Sequence, residues 1–303
     1  MVNAPQSLTR SLGCLGVIFT LASIGQMVSY ASYPGENVEG AVFSPDGKTL
    51  YGIGGDYTPN HWGGVLTAWN AETGRRLWRQ ELQDNLNNND ALSLSHDGKT
   101  LVLNRYDHLA FHDTATGRQA RRLPFTHASY GSYSLLIPVP FTADDKEILV
   151  AMDGGILEVL DAQSGKRHGK LHFSRTDLLH GCALSPDGKR LVVYQGNQLI
   201  LREWATNKTL AKQTVQETHY FNASNPLRFF SDGKRVLFDE SVWNPAEKVL
   251  RPCNPDETRL TSPEGTRFVA LEQRQGGRNR REPLGTITNL AGNTILLEGQ
   301  TGW

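Results

Sequence analysis

FSPDGKTL, running from Phe43 to Leu50, decides the fold because it keeps returning. It recurs as SHDGKTL from Ser95, TADDKEIL from Thr142, LSPDGKRL from Leu184, FSDGKRVL from Phe230 and SPEGTRF from Ser262. One copy reads as a turn between two strands. Pro45 pre-sets the dihedral of the second turn position, Ser44 and Asp46 can bond to the local backbone, and Gly47 closes the turn. Apolar residues alternate on both sides of it in AVFSPDGKTLYGIG, which is the pattern of a half-buried hairpin.

The fourth turn residue falls at Gly47, Gly98, Asp145, Gly188, Gly233 and Gly265. These are spaced roughly 30 to 50 residues apart, and strand-rich repeats of that length predict propeller blades. Each unit carries a second hairpin. In VLTAWNAETGRRLWRQEL, Asn70 opens the turn and Gly74 supplies a left-handed conformation. LAFHDTATGRQARRLPF, LEVLDAQSGKRHGKLHF and LILREWATNKTLAKQTV follow the same plan. The expectation is therefore an all-β fold, a β-propeller of four-stranded antiparallel blades with strands A to D, in a single domain over residues 32–303. Six units are recognisable. They close directly as six blades, or they stand for a seven-bladed ring with one blade missing or degenerate.

Over residues 38 to 299 the chain resembles the WD-repeat and related bacterial propeller-repeat families. The recurring FSPDGKTL turn carries this resemblance, with an aromatic or apolar residue before Asp or Asn near the end of strand C. That pair stands as Trp69-Asn70, His112-Asp113, Leu160-Asp161 and Trp243-Asn244, while the fourth unit departs with Trp204-Ala205. A narrower resemblance lies in AWNAETGRRLW (Ala68 to Trp78), which looks like the tryptophan-docking repeat of pyrroloquinoline-quinone-dependent dehydrogenase propellers. Ala68, Thr73, Gly74 and Trp78 match, and Asn70 replaces an Asp. In that family the Trp mainly locks neighbouring blades together. Arg121 and Gly169 stand at or near its position in the next two units.

The chain balances 31 basic against 31 acidic residues over 303 positions, so no overall field favours nucleic acid or an acidic membrane. The N-terminus differs in character. After Arg10 comes the uncharged run SLGCLGVIFTLASIGQMV, then SYAS with Ser29 and Ala31 placed for a cut before Ser32. Residues 1–31 thus read as a signal peptide, with an N-terminal membrane anchor or a buried helix as the alternatives. Export to the periplasm or the extracellular space follows from the first two. Cys182 and Cys253 remain beyond the leader. Two cysteines are no disulfide framework, and Cys182 sits in an apolar strand.

Antiparallel order places the A–B and C–D turns at one end of each unit and the B–C and D–A connections at the other. The second set is long and varied, and binding residues concentrate on such loops. The candidate binding residues there are Tyr57, His61, Trp62, Arg105, Tyr106, His108, Tyr130, Tyr133, His180, His219 and Tyr220. Tyr, Trp and Arg are the anchors of protein interfaces. The bland alternative is that these side chains pack on blade edges.

No GxSxG, HExxH, paired CxxC or P-loop occurs, so no catalytic residue, cofactor or metal site is expected. His168 and His172 lie on a strand, too far apart to share a metal. The arginines at 274, 278, 280 and 281 read as a solvated hairpin. The sequence thus points to a non-catalytic exported propeller that binds another protein or a peptide through the B–C/D–A face. It predicts no nucleic-acid partner, and membrane contact only through the N-terminal segment. The alternatives are a quinone-dependent dehydrogenase-like or other cofactor-binding propeller, and a structural protein of the cell envelope.

Overall fold

The computed structural model describes residues 38, 40–58, 61–82, 91–105, 108–124, 139–152, 155–173, 179–215, 227–230, 232–238, 241–253, 260–261, 267–271, 285–289 and 294–297. Residues 1–37, Tyr106, Tyr130, Tyr133, His219, Tyr220 and the arginine-rich loop lie outside them. Among the described residues no helix is long and apolar enough to cross a membrane.

Unit 1 comprises β1 (Gly40–Phe43), β2 (Thr49–Thr58), β3 (His61–Asn70) and β4 (Arg76–Glu81). Unit 2 comprises β5 (Ala91–Leu94), β6 (Thr100–Asn104), β7 (His108–Asp113) and β8 (Gln119–Pro124). Among the described residues, unit 3 has β9 (Glu147–Met152), β10 (Ile156–Asp161) and β11 (Arg167–His172). Unit 4 is β12 (Leu179–Leu184), β13 (Arg190–Gln195), β14 (Gln198–Glu203) and β15 (Thr209–Thr214). Unit 5 is β16 (Arg228–Phe229), β17 (Val236–Phe238), β18 (Ser241–Asn244) and β19 (Val249–Pro252). Unit 6 is β20 (Leu260–Thr261), β21 (Arg267–Leu271), β22 (Gly285–Asn289) and β23 (Thr294–Leu296). Within every sheet neighbouring strands are sequential and antiparallel.

The expectation of six four-stranded blades, or of a seven-bladed ring with one degraded, is corrected by this count. Five complete four-stranded blades are present; unit 3 supplies a sheet of three strands, and no seventh sheet occurs among the described residues. Proline explains the loss in unit 3. Where strand A should run, Phe141 makes an isolated bridge to Ile148, and Leu149 N–H donates to Pro140 O at 3.0 Å. Pro140 has no N–H to return, so the ladder stops.

Both turn types form as their residues dictate. In the first A–B turn the Ser44 hydroxyl donates to Asp46 Oδ1 at 2.6 Å and accepts from Thr49 N–H at 2.9 Å, and Lys48 N–H donates to Asp46 Oδ1 at 3.1 Å. Ser95 with Asp97, and Thr142 with Asp144, repeat this arrangement. In the first C–D turn Asn70 Oδ1 accepts from the N–H groups of Glu72 and Thr73 at 3.0 and 2.8 Å. Asp113, Asp161 and Asn244 do the same in their units. In unit 4 this position is Glu203, which accepts from the Thr206 hydroxyl. The repeated pair there is thus Arg202-Glu203, one residue earlier than Trp204-Ala205.

The apolar core lies between the sheets. Ile53, Leu66, Leu101 and Leu103 form a cluster joining units 1 and 2. Phe111, Phe141 and Ile148 join units 2 and 3, Leu157, Cys182 and Leu191 join units 3 and 4, and Tyr194, Phe229 and Trp243 join units 4 and 5. A fifth cluster sets Ile295 and Leu297 of unit 6 against Val38, Phe43, Leu50 and Trp69 of unit 1. The ring therefore closes between unit 6 and unit 1 by apolar packing, and each unit brings its own strands to the seam.

Polar and steric locks reinforce these clusters. Trp78 on β4 donates its indole N–H to Thr114 O of unit 2 at 2.9 Å, and a Cβ on Gly117 would stand 2.5 Å from its ring. One unit on, Arg121 fills the same place. Its guanidinium lies 3.8 Å from the centre of the Phe111 ring and donates to Ala162 O and Gln163 O of unit 3. Gly169 offers no side chain at this position, and Trp204 from unit 4 packs into that interface instead. The lock thus occurs at two seams with different residues, and apolar packing takes its place at the third.

The A–B turns also touch each other. A Cβ on Gly98 would meet Pro45 Cδ at 2.9 Å, and one on Gly188 would meet Ala143 Cβ at 2.7 Å. The second residue of one turn thus rests on the fourth residue of the next. Where that fourth residue is Asp145, held at a φ of 57°, its carboxylate reaches back to unit 2. It accepts from the N–H groups of His96 and Asp97, both at 2.8 Å, and lies 2.9 Å from His96 Nδ1. A non-glycine residue in the left-handed region and a histidine in place of proline therefore occur as partners.

Candidate interaction face

These locked turns occupy one end of the sheets. The other end bears the B–C and D–A connections and carries the candidate residues. Tyr57 pairs in register with Trp62 across β2 and β3, and Thr58 pairs with His61 at the hairpin tip. Their backbone places them at the intended end, and their side chains lie outside the described residues.

Arg105 and His108 close the B–C turn of unit 2, where Arg105 N–H donates to His108 O at 2.9 Å. Both residues are buried, at 4% and 3% exposure. His112 on the same strand is also buried, and its Nδ1 lies 2.9 Å from Gly117 O. Burial holds its pKa below the ordinary 6.5, against the hydrogen bond to Gly117 O, which acts the other way.

His180 is half-buried at the start of β12. Its ring stacks 5.0 Å from that of Tyr194, which meets Phe238 edge-on at 4.5 Å. Burial lowers the His180 pKa. This aromatic ladder links units 4 and 5 at the loop-bearing end. Sequence reasoning found His180 but missed Tyr194 and Phe238. The available signal was that both occupy the last residues of a strand B, directly before a B–C connection.

The chemistry of the described residues is sparse. No group of three or more His, Cys, Asp or Glu residues among them is placed to hold a metal. His168 lies 3.0 Å from Glu147 as an exposed pair. Cys182 and Cys253 are not joined, and burial raises the Cys182 thiol to about 12.

The sequence profile of the PQQ_2 family, described as outer membrane protein assembly factor BamB, matches residues 63–238. That is more than half of the chain. The protein belongs to this family. The match runs from β3 into β17, so the repeat seen plainly only in AWNAETGRRLW extends through units 1 to 5. The broader likeness to WD repeats gives way to this closer assignment. Arg121 and Gly169 obscured it, since both stand where the docking tryptophan would identify the family. No curated protein matches the sequence. Among solved structures, Kuenenia stuttgartiensis hydrazine synthase has a TM-score of 0.48 and 15% identity, covering 88% of this chain and 66% of that one. The chain thus spans under two thirds of that structure's length.

Proposed function

We propose that the protein is a non-catalytic, exported propeller that holds another protein at its B–C/D–A face. The carrying observation is the contrast between the two ends. One is tiled by short turns of nearly constant sequence that bind each other, from Pro45 on Gly98 to His96 on Asp145. The other bears the varied connections and the His180–Tyr194–Phe238 ladder. Packed sheets hold those connections in place, so little ordering entropy is lost when a partner docks. The family's description in terms of outer membrane protein assembly supports both export and a partner that is a protein.

Site-specific photo-crosslinking tests this reading. A benzophenone amino acid placed at Trp62 or Tyr106 is expected to give discrete protein adducts in cells, while the same probe at Lys48 or Lys189 gives none. Adducts mainly from Lys48 and Lys189 would overturn the choice of face. An absence of discrete adducts from all four positions would overturn the binding function itself.

A further inference from the structure

We infer a second docking surface on the outer rim, the open edge of β15 in unit 4, which accepts an extended acidic segment of a partner protein as an added strand. Strand D ends its sheet in units 1 to 5, as β4, β8, β11, β15 and β19. An end strand leaves a row of backbone N–H and C=O groups on its far side, which is a template for another strand. Across these strands and β23, Glu81 is the only acidic residue, and it pairs with Arg79 at 2.8 Å. Basic residues, by contrast, return at one repeat position, as Arg79, Arg122, Lys170 and Lys212. In a chain with no net charge, the outer strands are thus selectively positive.

A second observation marks the same strands. Among the described residues, the large apolar side chains left exposed are Leu77 at 45%, Leu210 at 47% and Val249 at 42%, and all three lie on an outer strand. On β15, Leu210 and Lys212 are two residues apart in a strand without any acid, and both are exposed. A lysine on an edge repels a second copy of that edge, and here it leaves the edge open to a strand of opposite charge. The exposed leucine beside it offers an apolar contact to that strand. A flat lipid surface fits less well, because Leu77 and Leu210 belong to units three apart on a convex rim.

The test is fluorescence anisotropy on the intact protein with a labelled peptide of alternating Glu and Val. A Lys-and-Val peptide of the same length and vesicles containing phosphatidylglycerol serve as comparisons. The acidic peptide is expected to bind saturably and to weaken as salt rises. Lys212→Glu, at an exposed site that folding tolerates, should weaken it at least ~10-fold, with Lys212→Arg retaining affinity and Lys48→Glu at the turn end unchanged. No binding of the acidic peptide, equal binding of the basic one, binding to vesicles alone, or an unaltered affinity for Lys212→Glu would each overturn the inference. None of these outcomes bears on the crosslinking experiment, which reads the other face.

Discussion

Replacing His96 by Pro and Asp145 by Gly converts the lock between units 2 and 3 into the Pro-on-Gly contact of Pro45 and Gly98. Asp145→Gly alone removes a carboxylate that accepts from two backbone N–H groups at 2.8 Å and lies 2.9 Å from the His96 ring. Three net hydrogen bonds at about 0.5–1.5 kcal/mol each set an upper bound. Water partly replaces them, since the His96 and Asp145 side chains are 43% and 19% exposed. Releasing a non-glycine residue from a φ of 57° returns about 1 kcal/mol. The single change should therefore cost about 1–2 kcal/mol. His96→Pro alone removes one donor and the ring, and should cost a similar amount. In the double variant the lost donor and the lost acceptor are each other's partners, and Pro can rest on Gly. Its cost should be about 1 kcal/mol, a coupling of about 1–3 kcal/mol between the sites. Urea unfolding of the four proteins measures this. Additivity within about 0.5 kcal/mol would refute the compensation.

Two further outcomes concern the inter-unit locks and acid stability. Truncating Trp78 to Ala should cost about 2–3 kcal/mol, below the about 3–5 of a fully buried Trp, while Trp78→Phe loses mainly the hydrogen bond to Thr114 O, about 1 kcal/mol; urea midpoints distinguish them. Asp46, Asp97, Asp144 and Asp187 are held below the ordinary 3.8, chiefly by the turn's own Ser or Thr hydroxyl, and in Asp97 by the Lys99 N–H first. A carboxyl with a lowered folded pKa stabilises fully above 3.8 and loses that contribution as pH falls below it. The quadruple Asp→Asn variant should thus show a flatter Tm between pH 4 and 2 by circular dichroism, and parallel profiles would count against the turn chemistry.

What was legible in the sequence was local. The Ser–Asp and Asn–Thr turn contacts span two to five residues, so SPDG and NAET predict their own geometry. Contacts between units were not legible, because each partner looks ordinary alone. Arg121 does the work of Trp78 through a carbonyl more than forty residues away, and Trp204 compensates for Gly169 from the opposite side. Pro140 limits the first strand of unit 3 to one bridge among the described residues, although the surrounding turn matched the repeat. The neutral total charge concealed the basic outer strands, since it sums over positions that the fold separates. In the candidate face, residue type pointed to Arg105 and His108, but their burial depends on neighbours that residue type does not show.

The His96–Asp145 lock also bears on how such a chain can change by duplication and loss. A copy of unit 2 inserted after itself would set His96 against Gly98, which has no carboxylate to meet it. A copy of unit 3 following itself would leave Asp145 facing Ala143 instead of His96. Units 2 and 3 are therefore inherited most safely as a pair, and recombination within this ring is expected to respect that boundary.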